Sequence, residues 1–183
     1  MSDTTRGRLL VATPDLVDPN FARTVVLVLE HGSEGAVGIV LNRPSDLLLG
    51  DALPAWCGVA AAPGCVYLGG PVQPDGAIGI GRGVAEHAVD GFMPVFADLG
   101  TLDLERDPEA LGPDLEVRVF AGYAGWSPGQ LEVELEAGGW LVVDRLDGDV
   151  FTSDPAGLWR AVLRRQGGRL AVFAVAPEDP STN

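Results

Sequence analysis

The chain contains no lysine. All twelve basic residues are arginine, set against twenty-six aspartates and glutamates, for a formal net charge of −14. Contact with a phosphate backbone needs clustered positive charge, so direct nucleic-acid binding is not expected. An acidic surface favours solubility and basic partners instead. Cysteine is also scarce: Cys57 and Cys65 alone build no disulfide framework, and a reducing interior is the default. The two histidines are His31 and His87, and neither they nor the cysteines show the close paired spacing of a zinc site. No metal and no cofactor are expected. No apolar run reaches the length of a membrane span, and the opening MSDTTRGR lacks the apolar core of a signal peptide. Together these absences point to a cytoplasmic protein with no membrane contact.

What is present is a chain of 183 residues, 46% hydrophobic, long enough for one domain with a substantial core. No repeat and no linker divides it. The expectation is a single domain over residues 1–183 with its core at about 7–176, a frayed start and a mobile tail from Pro177. Arg8–Ala12 reads as a short strand. Thr24–Glu30 is rich in β-branched residues and nearly apolar throughout, as a central strand should be. The turn His31–Gly35 joins it to a second strand, Ala36–Leu41, in an antiparallel hairpin. After Asn42-Arg43-Pro44, Ser45 or Asp46 caps a short helix through about Leu53. Trp56–Gly64 reads as loop. Strands are expected at Val66–Leu68, weakly at Ala77–Ile80, and at Met93–Phe96, with one helical turn after Asp107-Pro108. Leu115–Phe120 alternates apolar and charged side chains, a strand with one wet face.

Phe120–Val143 is the densest stretch. Ser127-Pro128-Gly129-Gln130 fits a capping box with proline at the first helical position. Leu131 and Leu135 share one helix face, Gly138-Gly139 ends the helix, and Trp140–Val143 reads as a buried strand. Further on, Ser153-Asp154-Pro155 starts a helix whose apolar face is Leu158, Trp159, Val162 and Leu163, and Leu170–Val175 reads as a last strand. Strands outnumber helices and neighbour one another in sequence. The fold class is therefore α+β, a mostly antiparallel sheet flanked by a few helices.

Gly125-Trp126-Ser127-Pro128-Gly129 spells the G-x-S-x-G of a nucleophile elbow. That elbow takes an oxyanion-hole N–H from the residue after the serine, and proline has none. Both histidines also precede the serine, opposite to the elbow order. No catalytic residue is assigned. Arg160, Arg164, Arg165 and Arg169 suit the carbonyl-rich end of a helix better than a nucleic acid. The candidate binding residues are those at strand ends and turns, where a scaffold places function. They are Arg23, His31, Asn42, Arg43 and the run Gly69-Gly70-Pro71, joined by Tyr123, Trp126 and Gln130. The arginines would hold a carboxylate or phosphate, and the glycines would admit a ligand close to the backbone.

Phe120, Gly122-Tyr123-Ala124-Gly125-Trp126, Gly129-Gln130-Leu131, Glu134 and Trp140 resemble the signature of the YqgE/AlgH family. Leu9-Leu10, Phe21, His31, Asn42-Arg43-Pro44, Gly69-Gly70-Pro71 and Leu158-Trp159 follow the family's order, so the resemblance spans about residues 7–168. It implies a compact bacterial α+β domain of the cytoplasm. The family is often labelled a transcriptional regulator, and no established chemistry comes with it. The chain departs from the pattern after Pro71, where Gly76–Gly81 replaces a hydrophobic stretch carrying a histidine.

The leading expectation is a non-catalytic regulatory or binding protein engaging an unknown small molecule or protein partner; the word regulatory rests on the resemblance. The alternative is a hydrolase or transferase acting on a small polar substrate at a strand-end cleft. One cleft gathering Arg43, His31 and a carboxylate would favour the enzyme. A flat exposed aromatic patch would favour partner binding.

Overall fold

The structure is a computed structural model, and it describes residues 4–85, 90–96 and 98–177. His87 lies outside the described residues. Strands β1 (Leu9–Ala12), β2 (Val25–Gly32) and β3 (Gly35–Val40) form an antiparallel meander. Their runs are apolar at successive positions because both faces are covered. Leu9, Val11, Val25 and Leu27 join one core cluster with Trp159 and Leu163. Leu10, Ala12, Val26 and Val28 join a second with Trp126 and Trp140. At about 25 cal/mol per Å² of apolar surface, burying both faces supplies most of what holds the sheet.

Seven further strands complete the architecture: β4 (Pro44–Leu48), β5 (Cys65–Leu68), β6 (Val72–Arg82), β7 (Phe92–Phe96), β8 (Leu99–Leu102), β9 (Glu116–Trp126) and β10 (Trp140–Val143). The main path runs β10-β1-β2-β3-β9-β6-β8-β7, antiparallel at every step. The β4–β5 hairpin joins through a parallel pairing of β5 with β9. Helices are short: α1 (Leu49–Ala52), α2 (Gln130–Glu136), α3 (Leu158–Gln166) and α4 (Gly168–Phe173). The result is a single α+β domain.

Strand β9 is the axis, touching β3, β5 and β6. Phe120 and Tyr123 both pack toward the first cluster although they are three residues apart, which strict alternation forbids. The phase changes at Gly122, whose φ of +72° is open to glycine. The same glycine admits a second backbone. A Cβ at Gly122 would stand 2.3 Å from the Gly70 carbonyl oxygen, and one at Gly70 would stand 2.1 Å from the Tyr123 carbonyl carbon. The Gly69-Gly70 turn therefore lies directly on β9, and Gly69 bonds to Ala121 on one side and Val40 on the other.

Several elements differ from the expectations. The helix capped at Ser45 is instead strand β4, because the Ser45 hydroxyl donates across the hairpin to the Val66 carbonyl at 2.6 Å. Only Leu49–Ala52 is α-helical, and the loop read at Trp56 begins with a 3-10 segment, Pro54–Val59. Ser127–Gln130 is a type II turn rather than a helix start. The Gln130 N–H donates to the Ser127 carbonyl at 2.9 Å, and Gly129 sits at φ 76°, ψ −7°, as the Pro-Gly pair favours. One half of the capping box survives, since the Gln130 side chain accepts from the Ser127 N–H at 3.0 Å. Residues 170–175 are not a last strand. Gly167 and Gly168 take φ of +68° and +53°, and α4 turns back against α3. β9 runs on to Trp126, beyond the strand end expected at Phe120.

Candidate functional site

The candidate residues divide among three places. The first is a cleft of about 170 Å³ where Asn20, Val40, Arg43, Leu68, Gly70 and Pro71 converge, with Pro74 and Ala121 behind them. Arg43 donates to the carbonyls of Asn20 (2.8 Å) and Ala22 (3.1 Å), which fixes its guanidinium at the rim. Burial lowers its pKa from the usual arginine value, and the charge of Asp18 works the other way. Asn42 completes the strand ends. Its carbonyl oxygen accepts from the Val25 N–H at 3.0 Å, and its amide donates to the Arg23 carbonyl at 2.9 Å. Arg23, at φ +57°, lies 4.6 Å over the Trp159 ring and donates to the carbonyls of Ala176 and Pro177. It ties the C-terminal segment to the sheet.

The second place is the far end of β2, six residues of strand away, or roughly 20 Å. Here His31 contacts Thr5 on one side and Glu132 on the other. The Glu132 carboxyl is held below the ordinary carboxylate range, first by a backbone hydrogen bond and then by His31. A depressed carboxylate contributes stability that is present at neutral pH and lost as pH falls through its folded value. Arg43 and His31 thus occupy separate clefts.

The third place is a shallow groove of about 520 Å³ lined in part by Glu30, Glu34, Val37, Tyr123 and Trp126. Trp126 is only 5% exposed, and behind it lies an arrangement that the sequence reading did not foresee. Glu134 Oε2 accepts from both indole N–H groups, Trp126 and Trp140, each at 2.9 Å. Glu134 Oε1 accepts from the Gln130 amide at 2.9 Å. Phe21 packs on both tryptophans, with ring centroids 6.2 Å and 5.6 Å away. Glu134 enters the sequence reading only as a signature residue. Its spacing, eight residues after Trp126 and six before Trp140, was the available signal.

Arg118 was also missed. Alternation placed it on a wet face, yet it is 2% exposed. It donates to the carbonyls of Val150 (3.0 Å), Thr152 (2.9 Å) and Ala62 (2.6 Å), and it lies 4.5 Å over the Tyr67 ring. Nearby, burial pushes the Cys65 thiol up, with a backbone hydrogen bond and the charge of Arg118 opposing. Cys57 is exposed. Iodoacetamide at neutral pH is therefore expected to alkylate Cys57 in the native protein and Cys65 only after unfolding. Peptide mapping with and without urea checks this, and equal native rates at the two thiols would contradict it. Among the described residues no group of three His, Cys, Asp or Glu is placed to hold a metal ion, and no helix is long and apolar enough to cross a membrane.

Known proteins share this architecture. The family model described as AlgH-like matches residues 9–171. A UPF0301 protein of Streptomyces coelicolor is 52% identical over 182 residues, 97% of this chain and 94% of the relative. One from Rhodococcus jostii is 42% identical over 181 residues, 97% of this chain and 90% of its own. The crystal structure of a Corynebacterium diphtheriae protein superposes with a TM-score of 0.87 at 33% identity, covering 96% of this chain and 94% of that one. The solution structure of the AlgH protein from Pseudomonas aeruginosa gives 0.69 at 29% identity, covering 98% and 97%. The signature around Phe120–Trp140, the match over residues 9–171 and these structural relatives agree: the chain belongs to the AlgH-like, UPF0301 family.

Proposed function

We propose that this protein is a non-catalytic binding protein whose ligand, or whose partner's side chain, presents an anionic group to the Arg43 cleft. The observation that carries the reading is the fixed guanidinium in a cleft whose walls, Asn20 aside, are mostly apolar. An arginine has five N–H donors. Two are spent on the carbonyls of Asn20 and Ala22, and the others have no protein acceptor among the described residues. A carboxylate is the natural acceptor for such a pre-oriented fork, and the walls of Val40, Leu68, Pro71 and Pro74 suit a short apolar body. Gly70 and Pro71 shape the cleft floor because their turn is seated on β9. At a net charge of −14, duplex DNA is repelled rather than gathered, so regulation would act through a small molecule or a protein.

A thermal-shift screen of anionic metabolites against wild type and Arg43→Ala tests this. Ligands that bind the native state raise the wild-type melting temperature by mass action. Arg43→Ala is expected to remain cooperative, to lose about 1 kcal/mol for its two carbonyl contacts, and to lose the ligand response. A large fall in melting temperature, with no ligand response in either protein, would assign Arg43 a purely structural role.

A further inference from the structure

The cleft at the far end of β2, about 420 Å³, is lined by Thr4, Thr5, His31, Ser33, Glu132 and Leu135, together with Gly32. In it a hydroxyl, an imidazole and a carboxylate stand in series. Thr5 Oγ1 lies 2.9 Å from His31 Nδ1, and His31 Nε2 lies 2.9 Å from Glu132 Oε1. A third contact fixes the proton. The backbone N–H of Thr5 points at the same Nδ1 from 3.2 Å, so Nδ1 is the bare nitrogen and Nε2 carries the hydrogen that Glu132 accepts. The single lone pair of Nδ1 is shared between the Thr5 N–H at 3.2 Å and the Thr5 hydroxyl, which is nearer at 2.9 Å. β2 carries the histidine and α2 the glutamate, whose side chain is 52% exposed. The imidazole is 8% exposed, and Thr5 is 5% exposed where it borders the cleft.

We propose that Thr5 is a covalent modification site, a hydroxyl activated by His31 to accept an acyl group from a small uncharged ester or thioester. The Thr5 oxygen bonds to the acyl carbon, and the bond from that carbon to its leaving group breaks. The hydroxyl proton passes to His31 Nδ1 and then to the departing alkoxide or thiolate, so charge and electrons balance without an oxidant or reductant. Glu132 is a positioning residue: it holds the Nε2 proton and stabilises the imidazolium as it forms. A nucleophile, a base and an orienting carboxylate in mutual contact activate hydroxyls on unrelated folds. The donor is uncharged because the cleft lining carries a carboxylate and no cation, and a phosphoryl donor would meet that carboxylate within an acidic protein. This cleft shares no lining residue with the Arg43 cleft.

Para-nitrophenyl acetate is a suitable probe, and the absence of lysine removes the usual background of amine acetylation. Wild type is expected to release one equivalent of nitrophenolate in a burst and to carry one acetyl group on Thr5 by peptide mapping. Thr5→Ala should abolish the burst, and Thr5→Ser, a less hindered hydroxyl, should react at least as fast as wild type. His31→Gln should slow acetylation about 100-fold or more, the usual contribution of a general base. Glu132→Gln should lower the maximal rate while leaving the half-saturating probe concentration unchanged, a split that simple loosening of the cleft would not produce. Melting curves establish that each variant is folded. Acetylation confined to the N-terminal amine, to the exposed Cys57 thiol or to His31 would overturn the proposal. So would a folded wild type and a folded Thr5→Ser that both stay unmodified, or a Thr5→Ala that reacts at the wild-type rate.

Discussion

Replacing Glu134 with alanine is expected to lower the unfolding free energy by about 2–4 kcal/mol, because it leaves two buried indole N–H groups without an acceptor at roughly 1–3 kcal/mol each. Both donors belong to rings that are almost fully buried, Trp126 at 5% and Trp140 at 3% exposure. Their rings are 6.0 Å apart at 75°, so a shift of one displaces the other and disturbs Phe21 between them. Glu134→Gln separates acceptor loss from packing loss. Its single carbonyl oxygen can still take both indole bonds, but its amide then faces the amide of Gln130, whose own oxygen is held by the Ser127 N–H. An intermediate loss of about 1–2 kcal/mol is expected for that one mismatched pair. Urea unfolding followed by tryptophan fluorescence measures both variants. If Glu134→Ala unfolds within about 0.5 kcal/mol of wild type, the range of an ordinary surface change, the clamp is not holding the cluster.

That clamp shows what the sequence made legible and what it did not. Thr24–Glu30 and Trp140–Val143 were readable as strands because apolar β-branched runs of that length have few other uses. The hairpin between β2 and β3 followed from its glycine-bearing turn. Local chemistry was less decisive where two rules matched one string. Ser127-Pro128-Gly129-Gln130 satisfies both a capping box and a type II turn, and Gly129 at positive φ selects the turn. Ser45 could cap a helix or bridge a hairpin, and the carbonyl of Val66, brought close only by tertiary structure, selects the bridge. Leu170–Val175 is too short for periodicity to separate helix from strand. The candidate site suffered in the same way. Strand ends were identified, but not which end of each strand. Arg43 and Asn42 therefore lie together near the start of β2, while His31 lies at its other end, beside Thr5 of the N-terminal segment and Glu132 of α2. Partners 26 and 101 residues away in sequence leave no local trace.

Arg118 is the clearest instance of a long-range partner set, and it carries the second large expected effect. Its side chain reads as surface by alternation, yet the Val150–Thr152 segment and the Ala62 carbonyl close over it. Burial lowers its pKa, with the nearby Tyr67, Cys65 and Glu116 opposing, and among the described residues its hydrogen bonds go to carbonyls, not to a carboxylate. Two terms of opposite sign decide the outcome of Arg118→Met. Removing a buried cation relieves its desolvation, which alone would make the change neutral or stabilising. Three carbonyls, however, lose a donor at roughly 1–3 kcal/mol each, and they lie on separate segments that no methionine can join. The second term is larger, so a net loss of about 2–4 kcal/mol is expected. Hydrogen exchange should locate it in residues 145–152, where the tie is cut, while β1–β3 keep their protection. Arg118→Lys gives a further test. An ammonium offers three donors but no planar fork, and burial favours its neutral form. The unfolded lysine variant then binds more protons than the folded one at neutral pH, so its stability deficit relative to wild type should narrow as pH rises toward about 10. A methionine variant that matches wild type in urea, with unchanged exchange in residues 145–152, would mean that water replaces the guanidinium at no cost.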